Sequence, residues 1–200
     1  MKDLIIEYLK EAITTEITES QKLLDQVNQN FVGAIEKLLS CNGKVVVTGV
    51  GKSGHVGSKM AATLASTGTP AFFMHADEAL HGDSGMVEKE DIVIAISNSG
   101  ETREVLALYP TLKEIGCFII SITSNPASTM ARNSDLHLCI GKLKEADHLG
   151  LAPTTSSTAT LILGDAIAVV LSRLRDFNSN EFALFHPAGA LGKSLTGKEV

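Results

Sequence analysis

Apolar residues follow two different periods along this chain, and the change between them separates a helical N-terminal segment from an alternating core. In residues 4–27 and 31–39, apolar side chains recur every three to four positions, which predicts one or two amphipathic helices. From residue 43 onward, short and wholly apolar runs alternate with helix-like stretches. Strands that are apolar on both faces and separated by helices predict a parallel sheet covered on each side.

We therefore predict one domain over residues 1–200, a three-layer αβα sandwich with a five-stranded parallel sheet. It would comprise N-terminal helices (1–42), a parallel α/β core (43–175) and a less regular C-terminal segment (176–200). The predicted strands are 44–48, 71–74, 91–96, 117–123 and 135–140. The predicted helices of the core are 54–66, 101–115, 126–132 and 156–175.

Composition and charge narrow the class of partner. Apolar residues make up 44% and charged residues 20% of the chain, as in ordinary globular proteins. The net charge of −6 argues against nucleic acid or an anionic membrane as the main partner, because both attract basic surfaces. The first 20 residues carry charges throughout, unlike a signal peptide or a membrane span. Together with three scattered cysteines (Cys41, Cys117, Cys139), expected to be reduced thiols, this predicts a cytoplasmic protein.

The first polar motif is the stretch TGVGKSG at residues 48–54, between a predicted strand and a predicted helix. A mononucleotide P-loop is excluded, because its first glycine would fall at Val46. The glycines at 49, 51 and 54 match a dinucleotide fingerprint, with Asp77 as its acidic partner at a longer spacing than usual. A lone GxGxxG is weak evidence, so a dinucleotide enzyme remains only an alternative.

The second polar motif is SNSGET at residues 97–102, directly after the predicted strand 91–96. Three hydroxyls and a glycine at a helix N-terminus form a typical anion site, since free amides and the helix dipole point at the same place. The alternative is that Ser99 or Thr102 only caps the helix. One cap needs one such residue, so we favour a phosphate site.

These two motifs, with the stretches HADEALHGD at 75–83, KEADHLGLAPTTS at 144–156 and FHPAGALG at 185–192, resemble the sugar isomerase (SIS) domain family. The resemblance covers the chain from about residue 35 to its end. It implies a five-stranded parallel sheet, and an aldose–ketose isomerase that interconverts D-arabinose 5-phosphate and D-ribulose 5-phosphate without a required cofactor. It also places that reaction in the synthesis of 3-deoxy-D-manno-octulosonate for lipopolysaccharide or capsule.

The residue roles come partly from position and partly from this resemblance. The predicted catalytic residues are Lys52, Glu104, Glu145 and His186. We expect Glu104 or Glu145 to transfer the proton, and Lys52 to steady the oxyanion or the sugar hydroxyls. We expect His186 to help open the sugar ring, in its own subunit or in a neighbouring one. The predicted substrate-binding residues are Gly51, Ser53, His81, Ser97, Asn98, Ser99 and Thr102. The resemblance further implies that His75 can bind an inhibitory zinc ion.

The resemblance carries two departures and one expectation about assembly. Most similar enzymes have a pair of cystathionine-β-synthase-type domains after this part, which these 200 residues do not include. Their HPGG motif reads HPAG here, with Ala188. The expected assembly is a homodimer or homotetramer with sites between subunits, for which the N-terminal helices supply either an interface or only core packing. The alternatives to the isomerase are another SIS sugar-phosphate isomerase, for example one acting on a hexulose phosphate, and a non-catalytic sugar-phosphate sensor.

Overall fold

The computed structural model describes residues 1–187, and these form a five-stranded, all-parallel sheet between two layers of helices. The strand order is β2-β1-β3-β4-β5. The strands are β1 Val45–Gly49, β2 Ala71–His75, β3 Ile92–Ile96, β4 Phe118–Thr123 and β5 Leu136–Cys139. The helices are α1 Lys2–Gln21, α2 Gln29–Leu39, α3 Gly51–Ser66, α4 Ala76–Ala79, α5 Arg103–Ile115, α6 Thr129–Asn133, α7 Thr155–Leu174 and α8 Ser179–Phe185. Short 3₁₀ helices span Lys22–Gln26 and Asp83–Met86.

The two faces of the sheet form two separate hydrophobic cores, which explains the uniformly apolar strands. Successive side chains of β1 alternate between the cores: Val45 and Val47 pack with α2, α3 and α7, whereas Val46 packs with α4, α5 and α6. All five residues of β1 and all five of β3 are buried. The predicted αβα sandwich with a parallel sheet is confirmed.

Two helices begin at residues that the sequence prediction did not give, because side-chain caps fix where each helix starts. α6 begins at Thr129 rather than at 126, because Ser128 Oγ accepts the N–H of Ala131 and caps it there. Within the segment 176–187, predicted to be less regular, α8 forms behind a capping box between Asn178 and Glu181. An asparagine followed three residues later by a glutamate predicts a helix start, and a reading of hydrophobic positions alone does not detect it.

The N-terminal helix and α7 leave apolar side chains in solvent. On α1 these include Leu9, Ile13 and Ile17, each more than half exposed, and on α7 they include Val169 at 61%. By length and composition α7 could cross a membrane, but it packs against α1, α2 and α3 in the manner of a core helix. The N-terminal helix therefore packs against α7 and leaves an apolar face in solvent.

Candidate active site

A cleft of about 280 Å³ opens at the carboxyl edge of the sheet, above β1 and β3. In this strand order, β1 is the point from which successive connections run in opposite directions, and such switch points create crevices for ligands. Three segments line the cleft: the loop after β1, the loop after β3, and the first turns of α7. The lining residues are Val50, Lys52, Ser53, Val56, Ser97, Asn98, Ser99, Thr102, Pro153, Ser156, Ser157 and Thr160.

The loop after β3 presents a linked set of hydroxyl groups to this cleft. Ser97 Oγ lies 2.7 Å from Thr102 Oγ1 and 3.5 Å from Ser99 Oγ, and it accepts the N–H of Gly100 at 3.0 Å. Thr102 is the N-cap residue of α5, yet its side chain makes no capping hydrogen bond to the helix. Capping alone therefore does not account for these hydroxyls, and the N-terminus of α5 faces the cleft with its first amides available to an anion.

This loop is held in shape by the segment that follows β4. Gly100 has φ +69°, and a Cβ there would lie 2.2 Å from Ser128 Oγ, so only glycine fits. Met130 donates its N–H to the Gly100 carbonyl at 3.1 Å, and Ser124 donates both its N–H and its hydroxyl to the Asn98 carbonyl. The hydroxyl loop is consequently braced from behind rather than free to rearrange.

The loop after β1 lets the backbone of α3 approach the sheet closely. A Cβ on Gly49 would lie 3.1 Å from the Ile96 carbonyl, and one on Gly54 would lie 3.1 Å from the Gly49 carbonyl. α3 begins at Gly51, earlier than the predicted start at 54, so Lys52 and Ser53 lie in its first turn. Lys52 is the one charged side chain among the described residues that line the cleft.

Glu145 holds the N-terminus of α7 beside the cleft. Its Oε2 accepts the N–H of Thr154 at 2.8 Å, the Thr154 hydroxyl at 3.0 Å and the N–H of Ser156 at 3.2 Å. Thr154, the N-cap residue of α7, makes no side-chain cap of its own, and the Glu145 carboxylate supplies the cap instead. A carboxylate at a helix N-terminus is favoured by both the free amides and the dipole.

These contacts set the protonation of Glu145. Partial burial acts to raise its pKa, but the hydrogen bonds from Ser156 and Thr154 outweigh burial and hold the pKa below its usual value. Glu145 is therefore an ionised acceptor at neutral pH. It adjoins the cleft through Ser156, which lines it.

The structure brings five of the seven predicted substrate-binding residues into the lining of the cleft and leaves Gly51 and His81 outside that lining. Ser53, Ser97, Asn98, Ser99 and Thr102 line the cleft together with the predicted catalytic Lys52. Gly51 adjoins the cleft without lining it and has φ +56°. His81 is exposed outside the lining set, its Nδ1 2.8 Å from the Asp77 carbonyl oxygen. Glu104 is also exposed outside that set, in the first turn of α5.

His186 lies far from the cleft of its own chain. Its ring stacks on Phe182 with centroids 3.9 Å apart, and its Nδ1 lies 2.8 Å from the Phe182 carbonyl oxygen. The neighbouring Phe185 stacks on Phe177, and a Cβ on Gly68 would lie 2.5 Å from the Phe177 ring. Because Gly68 precedes β2, α8 sits toward the amino edge of the sheet, opposite the cleft. Ala188 lies outside the described residues.

His75 contacts Asp77 through both the backbone and the carboxylate of that residue. His75 Nδ1 lies 3.7 Å from an Asp77 carboxylate oxygen and accepts the Asp77 N–H at 3.3 Å. Within residues 1–187, no three histidine, cysteine, aspartate or glutamate side chains are grouped to hold a metal ion. The role of His75 as a zinc ligand stays a prediction.

Sequence reasoning missed several cleft residues. Pro153 and Thr160 line the cleft, and Thr160 stands one helical turn after Ser156 on α7. A helical projection from Ser156 would have found Thr160. No local signal in the sequence indicates that the start of α7 meets the loops after β1 and β3.

Comparison with known proteins supports this fold. The family model described as "SIS domain" matches residues 38–170. The chain is 61% identical to arabinose 5-phosphate isomerase KdsD of Escherichia coli K12 over 173 residues, covering 86% of this chain and 53% of that protein. It is 52% identical over 188 residues to KdsD of Francisella tularensis SCHU S4, covering 92% and 58%.

A solved structure extends the likeness to three dimensions. The protein c3406 of E. coli CFT073, in complex with arabinose 5-phosphate, superposes with a TM-score of 0.91 at 48% identity, covering 94% of this chain and all of that one. The chain spans about half the length of the curated relatives it matches. Because the family model matches most of its length and its parallel sheet superposes on a solved relative, the chain belongs to the SIS domain family.

Proposed function

We propose that this chain is an aldose–ketose isomerase that interconverts D-arabinose 5-phosphate and D-ribulose 5-phosphate. The observation that carries the proposal is that the linked hydroxyls of Ser97, Ser99 and Thr102 line the same cleft as Lys52. The Glu145 carboxylate adjoins this cleft by accepting the N–H of Ser156, which lines it. The c3406 protein, 48% identical over its full length, was solved with arabinose 5-phosphate, and the KdsD relatives carry the name of this activity.

The phosphate would occupy the hydroxyl loop. The three hydroxyls can donate to phosphate oxygens, and the N-terminus of α5 adds free amides and a favourable dipole. Lys52 then lies on the opposite wall, where its ammonium can face the oxygens of the sugar carbon chain. This arrangement holds one end of a small substrate and leaves its other end near the start of α7.

The reaction needs one carboxylate that takes a proton and returns it one carbon away. From the aldose, a base removes the proton on C2 while O1 takes up a proton, which gives the enediol. The carbon proton then returns to C1 while O2 loses its proton, which leaves the ketone at C2. Glu145 fits that role best, since it is ionised and adjoins the cleft, whereas Glu104 is exposed in the first turn of α5. Lys52 would stabilise the negative charge that develops on the substrate oxygens. No redox cofactor enters this balance.

The proposed role of His186 is to help open the sugar ring in the cleft of a neighbouring subunit. D-arabinose 5-phosphate can close to a furanose, whereas the phosphorylated 5-position prevents D-ribulose 5-phosphate from doing so, and an imidazole can shuttle the proton that opening requires. Within its own chain, His186 lies toward the opposite edge of the sheet from the cleft. We therefore place its action in the cleft of a second copy.

A homodimer or homotetramer provides that second copy. The exposed apolar residues of α1 and α7 border a groove of about 400 Å³ between the two helices, lined in part by Ile17, Leu24 and Ile162. Burying such a continuous apolar surface against a second copy would be favourable. We infer a cytoplasmic location for this assembly and synthesis of 3-deoxy-D-manno-octulosonate as the use of its product.

The test is to incubate the purified chain with D-ribulose 5-phosphate, without added cofactor, and to identify the products by nuclear magnetic resonance. We expect D-arabinose 5-phosphate to accumulate. When the reaction is run in deuterium oxide, deuterium should enter at C2, the carbon that receives the proton. Glu145→Gln should lower turnover about 100-fold or more, the usual scale for an acid–base group. Turnover of a hexulose phosphate instead would favour the other SIS isomerase, and binding without turnover would favour a sensor.

A further inference from the structure

The loop that carries Glu145 is fastened to the N-terminal helix. It spans residues 140–154 without regular secondary structure, and within it the backbone N–H of Lys144 donates to Glu19 Oε2 on α1 at 2.8 Å. Lys144 immediately precedes Glu145. A displacement of this amide therefore moves the backbone of the proposed base.

Glu19 is well placed to act as a fixed anchor. Its side chain is 15% exposed, and its second oxygen accepts Lys22 Nζ at 2.6 Å, so both carboxylate oxygens are engaged. The hydrogen bond from the Lys144 amide and the contact with Lys22 hold the pKa of Glu19 below its usual value. It is therefore an ionised acceptor at neutral pH, and a charged acceptor makes a stronger hydrogen bond than a neutral one.

The same region also lies close to the beginning of the loop. Gly141 has φ +78°, and a Cβ there would lie 3.2 Å from Cδ of Gln26, in the 3₁₀ helix that follows α1. On its other side, the loop is held by the hydrogen bonds from Thr154 and Ser156 to Glu145. Glu145 thus lies between two attachments, one to α7 and one to α1.

We propose that Glu19 is a positioning residue that sets the location of Glu145 in the cleft by holding the Lys144 amide. This inference rests on the proposed function of Glu145 as the base. Glu19 is not among the residues that line the cleft, so its removal should leave the hydroxyl loop intact and disturb only the proton-transfer step. Misplacing a reacting group by about 1 Å can lower a rate by up to about 100-fold.

The experiment compares Glu19→Ala with the conservative Glu19→Gln, whose amide oxygen can still accept from Lys144. For Glu19→Ala we expect kcat with D-ribulose 5-phosphate to fall about tenfold while KM stays within about twofold. Glu19→Gln should recover most of that kcat. Glu11→Ala is the matched control, because Glu11 is exposed on the same helix, and it should match wild type.

Hydrogen–deuterium exchange supplies a readout that does not depend on activity. The peptide that contains residues 144–146 should exchange faster in Glu19→Ala than in wild type, and Glu11→Ala should leave its exchange unchanged. If Glu19→Ala melts too early for kinetics, Glu19→Met, a good helix former of similar length without the carboxylate, replaces it.

Two results would overturn the proposal: unchanged kcat and exchange in Glu19→Ala, or a rise in KM equal to the fall in kcat. Either one is distinct from failure of the proposed function, in which wild type itself does not convert D-ribulose 5-phosphate. In that case the exchange measurement still tests the link between Glu19 and the loop.

Discussion

The hydroxyl oxygens of Ser97 and Thr102 lie 2.7 Å apart across the loop after β3, close enough to share one ligand. Ser97 is 3% exposed, so its hydroxyl faces the cleft from a fixed, buried position. In the proposed phosphate site, this pair supplies two adjacent hydroxyl donors, and the first prediction follows from it.

Ser97→Ala should weaken substrate binding more than turnover. The substitution removes one donor to the phosphate, a contact made in both ground state and transition state, so we expect KM to rise about tenfold and kcat to stay within about threefold. Steady-state kinetics with D-ribulose 5-phosphate measure both constants. Ser40→Ala, at an exposed serine after α2, is the control and should leave them unchanged. A fall in kcat alone would assign Ser97 to the chemistry instead.

Gly100→Ala should damage the phosphate loop through its backbone. At φ +69° an alanine is strained, and its Cβ would overlap Ser128 Oγ, so we expect a loss of about 1–3 kcal/mol in the free energy of unfolding together with loss of phosphate binding. Urea unfolding and calorimetry with inorganic phosphate test the two effects. Gly85→Ala, with no atom within 4 Å of the added Cβ, should be neutral in both assays. Normal phosphate binding by Gly100→Ala would show that this loop does not hold the anion.

Mixing two inactive variants tests whether His186 acts in a second copy. Glu145→Gln and His186→Ala should each lose about 100-fold in turnover. If each site combines Glu145 of one copy with His186 of another, mixed dimers regain one intact site, and an equal mixture should recover roughly a quarter of wild-type activity.

The control for this complementation is a mixture of Glu145→Gln with Glu145→Ala, which contains no intact site in any combination. Affinity tags on the two chains verify that subunits have exchanged. If the subunits exchange but activity does not return, then either both residues act in the site of the same chain or His186 takes no part in the reaction.

Acid should remove the stabilisation that the Glu145 cap provides. The folded-state pKa of Glu145 is lower than its unfolded value of about 4.3, so the contribution to stability is present above that value and is lost as pH falls through the folded pKa. Wild type should therefore exceed Glu145→Gln in the free energy of unfolding at pH 7, and the gap should narrow below about pH 4. Urea unfolding across the acid range up to neutral pH measures the gap. A gap that stays constant with pH would mean that the ionised form of Glu145 does not stabilise α7.

Local patterns in the sequence determined most of the sheet and its helices. Wholly apolar runs such as residues 45–47, separated by helix-period segments, are buried on both faces of the sheet, so they predict a parallel sheet without knowledge of its neighbours. The hydroxyl loop at residues 97–102 was also visible, because a strand, a helix N-terminus and three hydroxyls are adjacent along the chain.

Tertiary structure alone decided which distant residues share the cleft. The strand order brings the loops after β1 and β3 together, and the path of α7 carries Ser156 to them and α8 away from them. Likewise, Glu145 caps α7 by accepting from Thr154, nine positions further along, and Glu19 reaches Lys144 across 125 positions. Hydrophobic periodicity records only which side of an element is buried, whereas such contacts depend on how whole elements pack, which is information that no short stretch of sequence contains.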